Sequence, residues 1–285
     1  SLHGYNSLMK ILPFLILCFS VIAHAGSTFY EITDTKGNKH FIFGTFHSDD
    51  NRVTNFDPKI INAIKQSSLY MMETDELTDA SVIQNLNIDI PAQLTDNELE
   101  RLKDLINFHV MFYDQAIKMK PWLLAFIFDS PNPITPFNQD NLLKQIAEDA
   151  YIKTQGLMTN IEHFSVLDFL TTNEQIEILK NALKRPDNIK QENFEKLLVT
   201  YLDGNLIKIH EINEKITLDL MSPELWQKVK QKILIERNQV FNKKILEAME
   251  SHQIFVAIGA SHLAGDDGLV GFLKQNGLTV QQVDL

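Results

Sequence analysis

The run Ile254-Phe-Val-Ala-Ile258 is apolar and rich in strand-forming side chains, and it stops at Gly259 before a short polar, Gly-rich stretch that carries His262. Phe41-Ile-Phe-Gly44-Thr-Phe-His47, about two hundred residues earlier, has the same construction: an apolar strand, Gly, two residues, then His. Ligands collect outside the carboxyl ends of strands in α/β proteins, so one titratable side chain at such a place is a weak signal. Two in the same Gly-x-x-His setting are a stronger one. A fold for this chain has to explain why the spacing occurs twice.

The remaining segments are assigned by periodicity and by their end signals. Residues Thr28 to Thr35 and Lys39 to Thr45 are β-rich and separated by Lys36-Gly37-Asn38, which suits a hairpin. A short helix is expected over Ile60 to Gln66 after Asp57-Pro58, and Ser68 to Met72 is a third apolar run that leads into Glu73-Thr-Asp75-Glu76. Thr95-Asp-Asn-Glu98 has capping-box spacing and opens a helix. Pro121 to Phe128 reads as a buried helix, Asn141 to Tyr151 as a helix, and Gly156 to Ile161 as a short strand leading into Glu162-His163. Thr172-Asn-Glu-Gln175 is read as a second capping box, Phe194 to Leu202 as amphipathic helix, and Ser222-Pro-Glu as the start of a long helix to about Met249. After the loop of His262 come a helix over Asp266 to Gln275 and a last strand, Leu278 to Val283. The expectation is one α/β domain over residues 26–285, with a central mixed sheet made from N- and C-terminal strands and a largely helical region over about 95–250.

Composition narrows the function classes. The net charge of −11 argues against a nucleic-acid partner, which requires a basic face. At the N-terminus, Lys10 precedes the apolar run Ile11 to Ile22 and then Ala23-His-Ala25, the pattern of a secretory signal peptide over residues 1–25, with residues 1–8 read as upstream of a start at Met9. That run is short for a membrane span, so none is expected after cleavage. Cys18 is the sole cysteine, and its removal would exclude disulfides, thiolate ligands and a cysteine nucleophile. A periplasmic or secreted bacterial protein is expected.

Each of His47, Glu73, Glu162 and His262 follows an apolar run. If those strands share one sheet and one edge, two imidazoles and two carboxylates converge. Nitrogen and oxygen donors without sulfur suit Zn, Mn, Fe or Co, and a metal-bound water is a natural nucleophile for hydrolysis, with one glutamate free to take its proton. Gly44 and Gly259 are read as allowing tight turns or close substrate approach. The bland readings stand beside these: a solvated acidic cluster for Glu73, a helix cap for Glu162, and a surface ion pair for Arg237. His3, His24, His40, His109, His163, His210 and His252 lack a repeated context and are read as structural.

The motifs Gly44-Thr-Phe-His47, Glu73-Thr-Asp75, Ile161-Glu162, Tyr201-Leu-Asp-Gly204, Arg237-Asn238 and Gly259-Ala-Ser-His-Leu-Ala-Gly265 together resemble those of the TraB/GumN (TraB/PrgY) family, which includes the animal Tiki proteins. The resemblance covers essentially the whole chain after residue 25. It implies an erythromycin-esterase-like or ChaN-like fold and a metal-dependent hydrolase, a peptidase, with Mn, Co or Zn as cofactor and a peptide or protein as substrate. By the same likeness His47 and His262 become metal ligands, Glu73 and Glu162 their acidic partners, and Arg237 and Asn238 site-facing groups. Two departures are visible: Glu162 is followed by His163 where the family has Glu-Thr, and Gly204 by Asn205 where it has Gly-Asp. The alternative expectation is a non-catalytic peptide- or haem-binding protein on this scaffold. Esterase action through serine has no support, because no Gly-x-Ser-x-Gly is present.

Overall fold

The strand segments pair into one sheet of six strands in the order β4-β3-β5-β2-β1-β6. The computed structural model describes residues 26–85 and 87–285, so the signal-peptide expectation for residues 1–25 falls outside the described residues. In chain order the strands are β1 (Phe29–Thr33), β2 (Lys39–Thr45), β3 (Leu69–Thr74), β4 (Lys153–Met158), β5 (Ile254–Gly259) and β6 (Thr279–Gln282). The four neighbours β4, β3, β5 and β2 run parallel, whereas β1 is antiparallel to both β2 and β6. The sheet is therefore mixed, as expected. Gly37, with φ +85°, closes the β1–β2 hairpin, where the Asp34 carboxylate accepts the N–H groups of Lys36 and Asn38 at 2.8 Å each.

Side chains alternate across a strand, and β5 is buried on both faces. Ile254, Val256 and Ile258 join one core with Met71, Phe241, Ile245 and Leu273, whereas Phe255 and Ala257 join another with Phe41, Phe43, Tyr70 and Leu143. Along β3, Leu69 and Met71 lie in the first of these cores and Tyr70 in the second. Continued alternation turns Glu73 toward the face covered by the helix Arg237–Met249. A third core lies mainly between helices and includes Leu105, Phe128, Leu179, Trp226 and Val229. It accounts for the apolar helix Pro121–Asp129, whose Leu124, Ala125 and Phe128 are fully buried.

Several local expectations need correction. The strand expected over Gly156 to Ile161 ends at Met158, and Asn160–Phe164 is a one-turn helix capped by Thr159. Because Glu162 closes that cap, it follows a helix N-terminus rather than a strand. The second capping box is Thr171 with Glu174, one residue earlier than expected, because either phase satisfies the Thr-x-x-Glu/Gln pattern. A helix over Leu206–Leu218 had no counterpart in the sequence reading. The long helix begins at Ser222 as expected but is interrupted by a π-helical stretch, Gln231–Glu236, immediately before Arg237. Within the largely helical middle region, β4 supplies an edge of the sheet.

Candidate functional site

Parallel pairing sends the carboxyl ends of β2, β3, β4 and β5 to one edge, and the register Thr45↔Gly259 brings the two Gly-x-x-His loops side by side. Gly44 is what lets them touch. A Cβ there would stand 2.8 Å from Leu263 Cδ1 and 3.1 Å from Ala260 Cα, both in the second loop. Its carbonyl accepts from Thr28 Oγ1 at 2.7 Å and from the buried Tyr201 hydroxyl at 2.8 Å. Neither Gly44 nor Gly259 has a positive φ, so the tight-turn reading of these glycines is corrected: Gly44 serves loop packing. Gly259 is different. A Cβ there would have only ordinary contacts, 3.7 Å from Glu73 Oε2 and 3.7 Å from His262 Cδ2, and it would lie beside the acidic centre.

Glu73 is that centre. Its Oε1 accepts from Arg237 Nη2, stands 3.9 Å from His262 Nε2 and lies 3.7 Å from His163 Nδ1. Arg237 Nη2 also donates to His163 Nδ1 at 2.8 Å, which makes that nitrogen the acceptor and leaves the ring proton of neutral His163 on Nε2. Burial alone would raise the carboxyl pKa of Glu73, but the adjoining guanidinium, aided by the surrounding imidazoles, holds it well below the usual range. Burial pushes His262 and His163 down to about 4, with the like charge of Arg237 adding to the effect and Glu73 opposing it. The cluster at neutral pH is thus a carboxylate and a guanidinium flanked by two neutral imidazoles.

Both Gly-x-x-His imidazoles are oriented through Nδ1. His262, 5% exposed, has Nδ1 2.7 Å from Asn238 Oδ1, while Asn238 Nδ2 donates to the Asp267 carbonyl at 2.7 Å. Because that amide nitrogen must donate, its oxygen accepts, so the proton of His262 sits on Nδ1 and the lone pair on Nε2 faces Glu73. His47 has Nδ1 2.6 Å from Asp140 Oδ2, and Asp140 Oδ1 accepts from Thr45 Oγ1 at 2.7 Å. A carboxylate only accepts, so neutral His47 also presents its lone pair on Nε2. The Asp140 charge raises the His47 pKa despite the opposing cost of desolvation, and exposure of 64% of its side chain damps that pull. His47 also lies within the electrostatic reach of Glu73 and Arg237.

Of the residues read from sequence, His47, Glu73, Arg237, Asn238 and His262 are brought together. Glu162 is not. Its Oε2 accepts from Thr159 N at 2.8 Å and from Thr159 Oγ1 at 3.0 Å, so the carboxylate is occupied as an exposed cap. The next residue, His163, read as structural, is the one that turns inward. Asp140 was missed altogether, and so was Gln139, whose buried amide links Phe46 N, the Val53 carbonyl and Tyr201. Asp140 is 93 residues from His47, and nothing local marks it.

Beside His47 opens a cleft of about 700 Å³, lined at one end by His47, Gly259 and Ser261 and along its walls by Phe126, Phe194 and Ile216. Gly259 lines this cleft, and a Cβ there would lie 3.7 Å from Glu73 Oε2. The donors suit a divalent cation: two imidazoles hydrogen-bonded through Nδ1 and open at Nε2, with a buried carboxylate. The spacing does not close on one. Among the described residues no group of three or more His, Cys, Asp or Glu side chains stands close enough to hold an ion, and Arg237 occupies Glu73.

The model of the TraB/PrgY/gumN family matches residues 28–282, a span that contains every residue of the cluster. A search of the curated proteins finds no match.

Proposed function

This chain belongs to the TraB/PrgY/gumN family, and for it we propose a metal-dependent hydrolase acting on peptides, with the reaction centred on Glu73 and the two Gly-x-x-His imidazoles. The observation that carries the proposal is the shared orientation of His47 and His262. Asp140 and Asn238 hold Nδ1 of the respective rings at one sheet edge: neutral His262 has its lone pair on Nε2, and His47, whose pKa Asp140 raises, offers Nε2 once an incoming ion displaces its proton. His47, His262 and Glu73 would hold the ion, which would be Mn, Co or Zn. When bound, it would supply a water of lowered pKa and Lewis-acid polarisation of the scissile carbonyl.

The chain's own groups have separate tasks in this reading. Asp140 and Asn238 fix the two rings. Arg237, 8% exposed and paired with Glu73, would supply positive charge toward negative charge developing on a substrate oxygen. The apolar walls of the cleft take a side chain of the substrate and exclude water around the reacting bond. Asn238 touches no open space and is a positioning residue.

The reading extends to an erythromycin-esterase-like or ChaN-like relationship of the fold, based on the mixed sheet with its site at the carboxyl ends of the strands. It also includes export, based on Lys10, the apolar run and Ala23-His-Ala25, which fractionation of the producing cells would test.

The decisive experiment is equilibrium dialysis of residues 26–285 against Mn, Co and Zn, with hydrolysis of a peptide library followed with and without EDTA. His47→Ala and His262→Ala are each expected to lose ion uptake and cleavage while keeping the wild-type circular dichroism. A folded wild-type protein that takes up no ion would overturn the metal-dependent reading.

A further inference from the structure

The Glu73 carboxylate is the acidic group at the centre of the cluster, and it is already engaged by a cation from the chain itself. We infer that Arg237 is an internal counter-cation of this site, so that its ion pair with Glu73 and the binding of a divalent ion exclude one another. The inference rests on the reading that the site takes an ion, and concerns what the chain must give up to do so.

Three observations support it. First, a single nitrogen, Arg237 Nη2, contacts both Glu73 Oε1 and His163 Nδ1, so one –NH₂ group engages an oxygen and a nitrogen lone pair that an approaching ion would compete for. Glu73 Oε1 also lies 3.9 Å from His262 Nε2, so the guanidinium that holds this oxygen sits among the donors. Second, the seat is imperfect. Nε of Arg237 is buried without a hydrogen-bond partner, and an orphaned charged donor penalises the arrangement that strands it. The guanidinium carbon is 5.4 Å from the centre of the Phe241 ring, an aromatic face that can keep the cation on the same helix when Glu73 is lost. Third, Arg237 is the first α-helical residue after the π-helical stretch Gln231–Glu236. Such stretches are common at functional sites. Passing one residue between the two helical forms would rotate Arg237 about the helix axis, a route off the carboxylate that needs no unfolding.

The pair explains how a buried carboxylate is tolerated without an ion, and why the donors stand too far apart to form a ligand group: they surround a guanidinium rather than a point charge. Release of Arg237 would then couple ion uptake to the availability of a guanidinium for substrate.

The test compares chelator-stripped wild type, Arg237→Gln and Arg237→Lys by Mn titration calorimetry and by thermal unfolding in EDTA. Arg237→Gln is expected to unfold at lower temperature in EDTA, since it leaves Glu73 unpaired, and to bind Mn at least about tenfold more tightly than wild type. Arg237→Lys, which keeps the charge, is expected to stay near wild type in affinity. Equal or weaker Mn binding by Arg237→Gln would overturn the inference while leaving the hydrolase reading intact. Uptake by none of the three would remove both. Should Arg237→Gln fail to fold, Zn titration of the wild type decides through the Arg237 Nε–H resonance. That resonance should shift markedly as the site fills, and an unmoved signal at saturation would reject the exchange.

Discussion

At the scale of single residues, the site depends on groups that set the chemistry of their neighbours. Asp140 touches His47 and Thr45, and its carboxylate dictates which ring nitrogen of His47 carries the proton. Asp140→Asn offers an amide that can donate as well as accept, so the ring can adopt the other tautomer. Activity or ion affinity should fall by about 10–100-fold, and ¹⁵N spectra of His47 should report the tautomer change while the fold persists. Tyr201 works further back: its hydroxyl donates to the Gly44 carbonyl and contacts Gln139, bracing the first Gly-x-x-His loop. Tyr201→Phe leaves buried partners unsatisfied and should cost about 1–3 kcal/mol in chemical denaturation. His47 and His262 were legible because their spacing repeats. Asp140 and Tyr201 acquire their roles only through contacts 93 and 157 residues away in the chain.

At the scale of elements, the difference between Glu162 and His163 is a matter of helix phase. Thr159 and Glu162 close a capping box, which binds the carboxylate to the helix end and turns the following residue toward Arg237. Glu162→Ala should therefore lower stability by about 1 kcal/mol and leave Mn affinity unchanged. Loss of Mn binding in that variant would instead reinstate Glu162 as a ligand. The sequence showed an acidic residue after an apolar run, but whether that run continued as strand or broke into a cap was settled by the end of β4 at Met158. Gly44→Ala is a second test at this scale. Its Cβ would push on Leu263 and on Ala260, whose Cα is backbone and cannot rotate away. Thermal unfolding should occur at lower temperature, with ion affinity falling in parallel because the two loops are forced apart.

At the scale of the whole molecule, protonation links site and scaffold. His163 and His262 are lowered to about 4, chiefly by burial. His40, at the opposite end of the strands, is lowered by burial too, and its Nδ1 accepts the Ile254 N–H at 3.2 Å. An unfolded histidine titrates near about 6.5, so below that pH the unfolded chain takes up protons that these folded rings refuse. Stability should therefore fall as pH drops from about 6.5 toward 4. Glu73, whose folded pKa is depressed, adds a loss in the same direction once pH passes below its unfolded value. His47 is shifted the other way: its contribution is complete below about 6.5 and lost as pH rises through its raised value, weakly because water reaches the ring. Urea midpoints measured in EDTA should thus be highest near neutral pH and fall clearly by pH 5. A midpoint that stays flat between pH 7 and 5 would contradict the buried, neutral state of these imidazoles.

What the sequence by itself determined is local: short apolar runs rich in strand-forming side chains, a turn at Gly37, helix caps at Thr95 and Ser222, and two histidines placed just past strand ends. These follow from periodicity and from backbone hydrogen bonds that must be satisfied within a few residues. Only the tertiary structure decided that β5 lies between β3 and β2, all three parallel, and this brings Glu73, His47 and His262 to one rim. It likewise decided that Arg237, an ordinary helical cation in sequence, is buried against Glu73. Strand order and the pairing of buried charges depend on contacts between segments a hundred or more residues apart, and no local pattern encodes which partner a polar group will meet.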